Sequence, residues 1–271
     1  DRKEYQMRRT KIVCTLGPSS NSESVLREML LAGMNIARLN FSHGSHDDHA
    51  KNIETFRRVR DSLGVPSAIM LDTKGPEIRL GEIIGGSATL KEGETFILTA
   101  RDIEGSEKEV SVTYKPLATE LKEGDMVLID DGRISLRVTG LTDTDVITKV
   151  EIGGKISTHK GVNIPNVSLD MPYISKQDAS DLLFGIEQGV DFVSASFVRK
   201  KEDVIELRRF LDYHGGHDIK IISKIENIQG VMNFDEILRY SDGIMIARGD
   251  MGVEIEYEKL PGIQKRFTRE C

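Results

Sequence analysis

The feature that most constrains the fold of this chain is an alternation of short apolar segments with amphipathic segments. A long stretch without helical periodicity interrupts this alternation once. Apolar strand candidates cover residues 11–16, 35–41 and 68–72, and amphipathic helix candidates separate them. Helix-capping residues begin these helices, and Gly33 and Gly64 end them. Repeated strand–helix units predict an α/β fold with a parallel sheet, either a (β/α)8 barrel or an open doubly wound sheet.

The same alternation resumes after Ser175. Further strands are predicted over 192–197, 220–226 and 243–247, which brings the number of strand–helix units to about six. Polar and ionisable residues follow nearly every strand, which favours the barrel, because barrels place their sites at that end. A barrel of this type has about eight units, so the sequence predicts an incomplete one.

The middle of the chain has a different pattern. Apolar residues alternate with period two over 95–99, 110–114, 126–129 and 146–152, and glycine-rich turns separate these runs. This spacing predicts a small all-β barrel or sandwich inserted into the strand–helix pattern. The predicted domains are therefore 1–74, the first part of the barrel; 75–170, the β insertion; and 171–271, the second part of the barrel.

Composition excludes several classes of partner. The formal charge of −7, from 37 basic and 44 acidic residues, argues against nonspecific nucleic-acid binding. The sequence has no apolar run of membrane-spanning length and no signal-peptide pattern, which predicts no membrane partner. Its two cysteines, Cys14 and Cys271, suit a reducing compartment, so we expect a cytoplasmic protein. Met7 is a candidate native start.

Polar side chains end the second and third strands. Arg38, Asn40 and Ser42 alternate onto one face of the second strand, and Asp72-Thr73 ends the third. Their oxygen atoms together suit a hard cation. The alternative reading is a strand that frays into a polar loop.

A second group of polar residues ends the fifth and sixth strands. Lys224 and Glu226 share a face, and Asp250 follows the next strand between Gly249 and Gly252. Two converging carboxylates predict a divalent cation between them, and the glycines allow the backbone to approach an anion. The alternative is a structural Lys–Glu pair beside an ordinary loop aspartate.

Cationic residues also lie in and beside the β insertion. Arg79 and Lys160 are candidates to contact a phosphate chain, although each alone is more often a surface charge. No P-loop motif is present. His43, His46 and His49 are spaced by three, as at a helix start, so we expect His46 and His49 to be solvated and only His43 to lie near the site.

Six segments, in this order, resemble motifs of the pyruvate kinase family. They are KIVCTLGPSS at 11–20, NIARLNFSHG at 35–44, LDTKGPEIR at 71–79, KGVNIP at 160–165, SKIEN at 223–227 and IARGDMGVE at 246–254. The resemblance covers residues 7–271. It implies the N-terminal portion of such an enzyme, with most of the barrel domain, the inserted lid domain and no C-terminal domain.

The resemblance implies a role for each candidate residue. Lys224 and Arg38 would be catalytic, with Lys224 stabilising the phosphoryl group in flight and Arg38 contacting it. Gly249 and Asp250 would bind the substrate carboxylate. Three further sets are implied: Glu226 and Asp250 for Mg²⁺ (or Mn²⁺); Asn40, Ser42, Asp72 and Thr73 for K⁺; and Arg79, Lys160 and His43 for ADP or ATP.

The resemblance also implies an activity, the glycolytic transfer of a phosphoryl group from phosphoenolpyruvate to ADP, giving pyruvate and ATP. The full-length protein would be a homotetramer, and we expect the isolated chain to have little or no activity. Two alternatives stay open. One is a metal-dependent barrel lyase acting on pyruvate or phosphoenolpyruvate, and the other is a noncatalytic folded fragment that binds cations and nucleotide.

Overall fold

The computed structural model describes residues 9–271, and Met7 lies outside this range. The described chain forms two compact units. The first unit contains residues 9–75, 173–224 and 235–245, and the second contains residues 76–172, 225–234 and 246–271. The division into domains 1–74, 75–170 and 171–271 stays a prediction.

Short strands and helices alternate at both ends of the chain. The strands are β1 (Val13–Thr15), β2 (Ile36–Asn40), β3 (Ala68–Asp72), β4 (Ile78–Arg79), β5 (Ser87–Leu90), β6 (Thr95–Thr99), β7 (Glu109–Ser111), β8 (Met126–Ile129), β9 (Ile134–Leu141), β10 (Asp145–Ile152), β11 (Gly154–Ser157), β12 (Gly161–Asn163), β13 (Phe192–Ala195), β14 (Lys220–Ile225) and β15 (Gly243–Ile246). The helices are α1 (Glu23–Ala32), α2 (His46–Leu63), α3 (Leu117–Glu120), α4 (Lys176–Glu187), α5 (Lys201–Tyr213), α6 (Ile228–Met232), α7 (Phe234–Tyr240), α8 (Arg248–Glu254) and α9 (Leu260–Glu270).

A six-stranded sheet in the order β1-β2-β3-β13-β14-β15 confirms the predicted α/β fold. The pairs from β1 through β14 are parallel. In this register Asn40 lies opposite Asp72, and Asp72 lies opposite Ser194. The carboxyl ends of β2, β3 and β13 therefore bring polar side chains to one edge of the sheet.

The helix α2 begins and ends where its sequence predicts. Ser45 is the N-cap and forms a capping box with Asp48, and Gly64 ends the helix with φ +63°. Its apolar face is buried at Ile53 and Phe56. This face fixes α2 and therefore fixes the loop that joins it to β2.

The helix α4 carries two buried acidic residues. Ser175 caps its N-terminus by accepting the N–H of Asp178 at 3.0 Å. Asp178 and Asp181 are 3 % and 1 % exposed. Residues three apart in a helix face the same direction, so both carboxylates point into the first unit.

Within the second unit, a seven-stranded sheet closes on itself. Its order is β4-β12-β8-β9-β10-β6-β7, and an antiparallel bridge between Leu80 and Val112 joins the two ends. The N–H of Gly81 donates to the Ser111 carbonyl at 2.7 Å beside this bridge. We call residues 78–163 the strand ring. Its interior is a separate apolar core that includes Phe96 and Val127.

The strand ring matches the predicted all-β segment in strand content, with the one-turn helix α3 as an addition. Its role as a lid stays a prediction. Both cysteines are free thiols, with Cys14 half-buried and Cys271 exposed. Over the described residues, no helix combines the length and apolar character needed to cross a bilayer.

Candidate active site

The carboxylate of Asp72, at the end of β3, lies at the centre of a charged cluster in the first unit. Its side chain is 2 % exposed. Arg38 donates from Nε to Asp72 Oδ2 at 3.0 Å, and Nη2 donates to the same oxygen. Arg38 Nη1 donates to Thr15 Oγ1 at 2.6 Å. Neighbouring strands thus fix the guanidinium on both sides.

A second cation, Lys224 of β14, contacts the same carboxylate. Its Nζ lies 3.4 Å from Asp72 Oδ1 and donates to Ser196 Oγ at 3.0 Å. Lys224 is 8 % exposed. Ser196 Oγ in turn donates to the Thr73 carbonyl at 2.6 Å. Arg38, Lys224 and Asp72 together carry one excess positive charge, which favours binding of an anion such as a phosphate.

The predicted K⁺ ligands lie at this edge of the sheet. Asn40 and Asp72 are opposite each other in register, and Asn40 Oδ1 accepts the N–H of Ser42 at 3.1 Å. Asp72 Oδ1 is buried and has no hydrogen-bond partner among the described residues. Thr73 Oγ1 is engaged, since it accepts the Ser196 N–H and donates to the Ser194 carbonyl. A buried carboxylate oxygen that makes an ion pair with Lys224 but accepts no hydrogen bond within the described residues, beside other oxygen donors, fits a hard cation.

The prediction that His46 and His49 are solvated is wrong for His49, which is buried. It is correct only in part for His46, which is half-buried. His49 is 7 % exposed and stacks on Phe41 with ring centroids 4.1 Å apart. His46 is half-buried, and its Nε2 lies 2.6 Å from Asp181 Oδ1. His43 is exposed in the loop that follows Asn40, and its place near the site stays a prediction. The three-residue spacing gave no sign of Asp181, which is distant in sequence.

The predicted Mg²⁺ ligands both lie in the second unit. Glu226 follows β14 and is 2 % exposed, whereas Asp250 is exposed in the first turn of α8 beside Gly249. The Ala247 N–H donates to the Ile225 carbonyl at 3.3 Å, so the chain segments that lead to the two carboxylates run side by side. Carboxylate oxygens are the donors that Mg²⁺ prefers. Over the described residues, no group of three or more His, Cys, Asp or Glu side chains forms a metal site.

Arg79 and Lys160 lie on adjacent segments of the strand ring. Arg79 pairs in register with Gly161, and its Nη1 donates to the His159 carbonyl at 2.8 Å. Lys160 Nζ donates to Asp130 Oδ1 at 2.5 Å. This hydrogen bond holds the pKa of Asp130 below its ordinary value. The backbones of the two residues predicted to contact nucleotide are therefore adjacent.

Glu254 connects elements of the second unit. Its carboxylate accepts the N–H of Ile228 at 3.1 Å and a hydrogen bond from Asn163 of β12. Burial raises the pKa of Glu254, and these two hydrogen bonds oppose the shift. The end of the strand ring is thus tied to the start of α6.

Three residues of the first unit contribute to the cluster without having been predicted from the sequence. Ser196 connects Lys224 to Thr73, and Thr15 holds Arg38. Asp178 accepts the N–H groups of Lys74 and Gly75 at 3.1 and 3.2 Å. Ser196 and Thr15 end or follow strands of the parallel sheet, so a search of every strand end would have found these two.

A family model described as the barrel domain of pyruvate kinase matches residues 7–271. The pyruvate kinase of Clostridium perfringens (strain 13 / Type A) is 50% identical over 266 residues, which are 98% of this chain and 56% of that protein. The pyruvate kinase of Staphylococcus haemolyticus (strain JCSC1435) is 47% identical over 267 residues, 98% of this chain and 46% of that protein.

The pyruvate kinase of Geobacillus stearothermophilus is 47% identical over 266 residues, 97% of this chain and 45% of that protein. The chain thus spans about half the length of the curated relatives it matches. The barrel-domain match agrees with the parallel sheet and does not favour the lyase alternative. By this match and these identities, the chain belongs to the pyruvate kinase family.

Proposed function

We propose that the protein containing this chain is a pyruvate kinase, which transfers a phosphoryl group from phosphoenolpyruvate to ADP and yields pyruvate and ATP in glycolysis. The observation that carries the proposal is the cluster of Arg38, Lys224 and Asp72, which has one excess positive charge at the carboxyl ends of parallel strands. Membership in the family supports it independently.

Phosphoryl transfer depends mainly on positioning and electrostatic stabilisation. Arg38 is held between Thr15 and Asp72, so its guanidinium is pre-oriented to contact the transferring phosphate. The ammonium of Lys224 is held by Ser196 and Asp72, and we assign it the stabilisation of negative charge on the phosphoryl group. The backbone amides of Gly249 and Asp250 are assigned to the carboxylate of the substrate.

Two cation sites belong to the proposal. Glu226 and Asp250 would hold Mg²⁺ (or Mn²⁺), and Asn40, Ser42, Asp72 and Thr73 would hold K⁺. When bound, these cations would neutralise negative charge on the oxygen atoms of the substrates. Asp72 Oδ1, which is buried and accepts no hydrogen bond within the described residues, supports the second site.

The nucleotide is assigned to Arg79, Lys160 and His43. To bind nucleotide, Lys160 must break its hydrogen bond to Asp130 and form one to a phosphate oxygen. The number of charge-assisted hydrogen bonds then stays the same. We assign the strand ring the role of the lid domain, whose closure would exclude water. A homotetrameric full-length protein in the cytoplasm completes the proposal.

The test is a coupled assay for pyruvate with phosphoenolpyruvate, ADP, Mg²⁺ and either K⁺ or Na⁺. The full-length protein should turn over with K⁺, and Lys224→Ala should lower kcat by about 10²–10³-fold. Lys220→Ala is the matched control, because Lys220 lies on the same strand and its side chain is 56% exposed. Equal activity of the two variants would contradict the role of Lys224.

The 271-residue chain is assayed in parallel, and we expect little or no turnover from it. Binding of ADP and phosphoenolpyruvate without turnover in both proteins would instead support the noncatalytic alternative. K⁺-dependent turnover by the short chain would show that this half of the relatives' length suffices.

A further inference from the structure

Two histidines after β2, the buried His49 and the half-buried His46, make contacts that the proposed reaction does not use. Residues 41–45, which we call the β2–α2 loop, contain Ser42 and His43, assigned above to K⁺ and nucleotide. Gly44 in this loop has φ +82°. The loop therefore turns sharply just after two proposed ligand residues, and something must hold it in that shape.

The side chain of His49 lies beneath the β2–α2 loop. Its Nε2 lies 2.9 Å from the His43 carbonyl, and because a carbonyl only accepts, this nitrogen carries the proton. The ring stacks on Phe41 at an interplanar angle of 17°. A Cβ built on Gly44 would lie 3.4 Å from His49 Nε2. One imidazole thus contacts the loop on both sides of Ser42.

The carboxylate of Asp181, on α4, holds the other end of the loop. Asp181 Oδ1 accepts from His46 Nε2 at 2.6 Å and from Gln177 Nε2 at 2.8 Å. His46 is the first residue of α2 and stacks on Phe184 with ring centroids 4.6 Å apart. The start of α2 is therefore fixed to α4 by a charge-assisted hydrogen bond and by ring packing.

This arrangement is costly for a purely structural role. Within the described part of the chain, His49 Nδ1 and Asp181 Oδ2 are buried without a hydrogen-bond partner. Apolar side chains of similar shape would avoid that cost, since burying an unsatisfied polar atom destabilises the fold. The polar contacts that the two residues do make all lead to the β2–α2 loop, to His46 or to Gln177.

We propose that His49 and Asp181 are positioning residues that hold the β2–α2 loop so that Ser42 and His43 can bind K⁺ and nucleotide. This inference rests on the proposed function for the identity of the ligands. The positioning itself is a property of the loop and is measurable without turnover.

The experiment compares His49→Leu, which removes the donor, with His49→Gln, whose side-chain amide keeps a donor near the position of Nε2. His217→Leu is the matched control at an exposed histidine of the same unit. Hydrogen exchange of residues 41–45 is measured by mass spectrometry in the full-length protein. The K⁺ concentration for half-maximal activity and kcat at saturating K⁺ are measured on the same samples.

We expect His49→Leu to speed exchange in the loop and to raise the half-saturating K⁺ concentration, each by about tenfold. The kcat of His49→Leu at saturating K⁺ should stay within about twofold of that of the original protein. Bound K⁺ favours the ordered conformation of the loop and so restores it. His49→Gln and His217→Leu should match the original protein. Asp181→Leu should reproduce His49→Leu and serves as the second variant if His49→Leu does not fold.

Two outcomes separate this inference from the proposed function. If His49→Leu lowers only the melting temperature and changes neither loop exchange nor K⁺ dependence, then the residue is merely structural and the inference is wrong. If the loop loosens as expected but the original protein shows no K⁺-dependent turnover, then the proposed function fails and the positioning role stands.

Discussion

At the scale of single residues, Asp72 determines the charge of the proposed site. Its carboxylate holds Arg38 through one oxygen and faces Lys224 with the other. Both cations approach from strands that lie on either side of β3 in the sheet. The parallel register therefore brings together the charged groups of three residues that are distant in sequence.

Gly75 is required by the turn that follows β3. Its φ is +77°, and an added Cβ would lie 2.8 Å from the carbonyl oxygen of Ser196. We expect Gly75→Ala to lower the free energy of unfolding by about 3 kcal/mol, from the left-handed backbone and the clash together. Urea denaturation of the 271-residue chain measures this.

Gly64→Ala is the control for the Gly75 prediction. Gly64 has φ +63° but nothing within 4 Å of an added Cβ. Gly64→Ala should therefore lower the free energy of unfolding by only about 1 kcal/mol, because only the left-handed backbone is strained. Equal losses in the two variants would refute the clash with Ser196.

His49 makes stability depend on pH. Burial lowers the pKa of His49 below 6.5, and the charge of His46 adds to this, while the His43 carbonyl, Asp181 and Asp48 oppose it. Above pH 6.5 the imidazole is neutral in both the folded and the unfolded chain. Below 6.5 the unfolded chain binds the proton first, so stability falls until the pH passes the lowered pKa of the folded protein.

We therefore expect the original chain to lose more unfolding free energy between pH 7.5 and 5.5 than His49→Gln, which does not titrate. The difference is at most about 1.4 kcal/mol per pH unit. Urea denaturation at several pH values measures it. Equal losses of unfolding free energy in the original chain and in His49→Gln would rule out the His49 effect.

At the scale of elements, local sequence patterns predicted the strands and helices but not their long-range contacts. β3 and α2 were predicted closely because period-two and helical patterns, the Ser45 cap and Gly64 act over a few residues. The contact of His46 with Asp181 spans 135 residues. No periodicity encodes which helix packs against the β2–α2 loop. The burial of His49 was readable, because His49 lies four residues before Ile53 on the buried face of α2, but it was missed.

The helix α4 supports two loops that carry proposed ligands. Asp181 fixes the start of α2, and Asp178 accepts the N–H groups of Lys74 and Gly75 after β3. One face of one helix thus organises the ends of two neighbouring strands. The sequence predicted a helix after Ser175 but not the contacts that Asp178 and Asp181 make with these loops.

Asp178→Ala should destabilise the chain by about 2–3 kcal/mol, because it leaves two backbone N–H groups without their acceptor. It should also make the amides of Lys74 and Gly75 exchange faster. Urea denaturation and hydrogen exchange measure the two effects. Glu187→Ala, at an exposed position of the same helix, should change neither, and equal effects of both variants would contradict the role of Asp178.

At the scale of the whole molecule, the strand ring has a hydrophobic core of its own. All the buried residues of that core lie between Ile78 and Ile164, and the Leu80–Val112 bridge closes the ring. We expect residues 76–172, produced alone, to fold cooperatively. Dispersed amide resonances and a single unfolding transition would show this.

Val127→Asp provides the comparison for the isolated ring, because Val127 is 0 % exposed in its core. A buried, unpaired carboxylate should abolish folding of that segment. If the unsubstituted segment is also unfolded, then the ring needs the rest of its unit for stability.

The pairing of β4 with β12 also has a consequence for how such proteins diversify. Arg79 lies opposite Gly161, so the chain enters and leaves the ring on adjacent antiparallel strands. A segment whose two ends are neighbours can be replaced by recombination at two points in the chain. The order of the strands in the parallel sheet does not change. We therefore expect that replacing the ring at these two points would leave the parallel sheet, its loops and their charges unchanged.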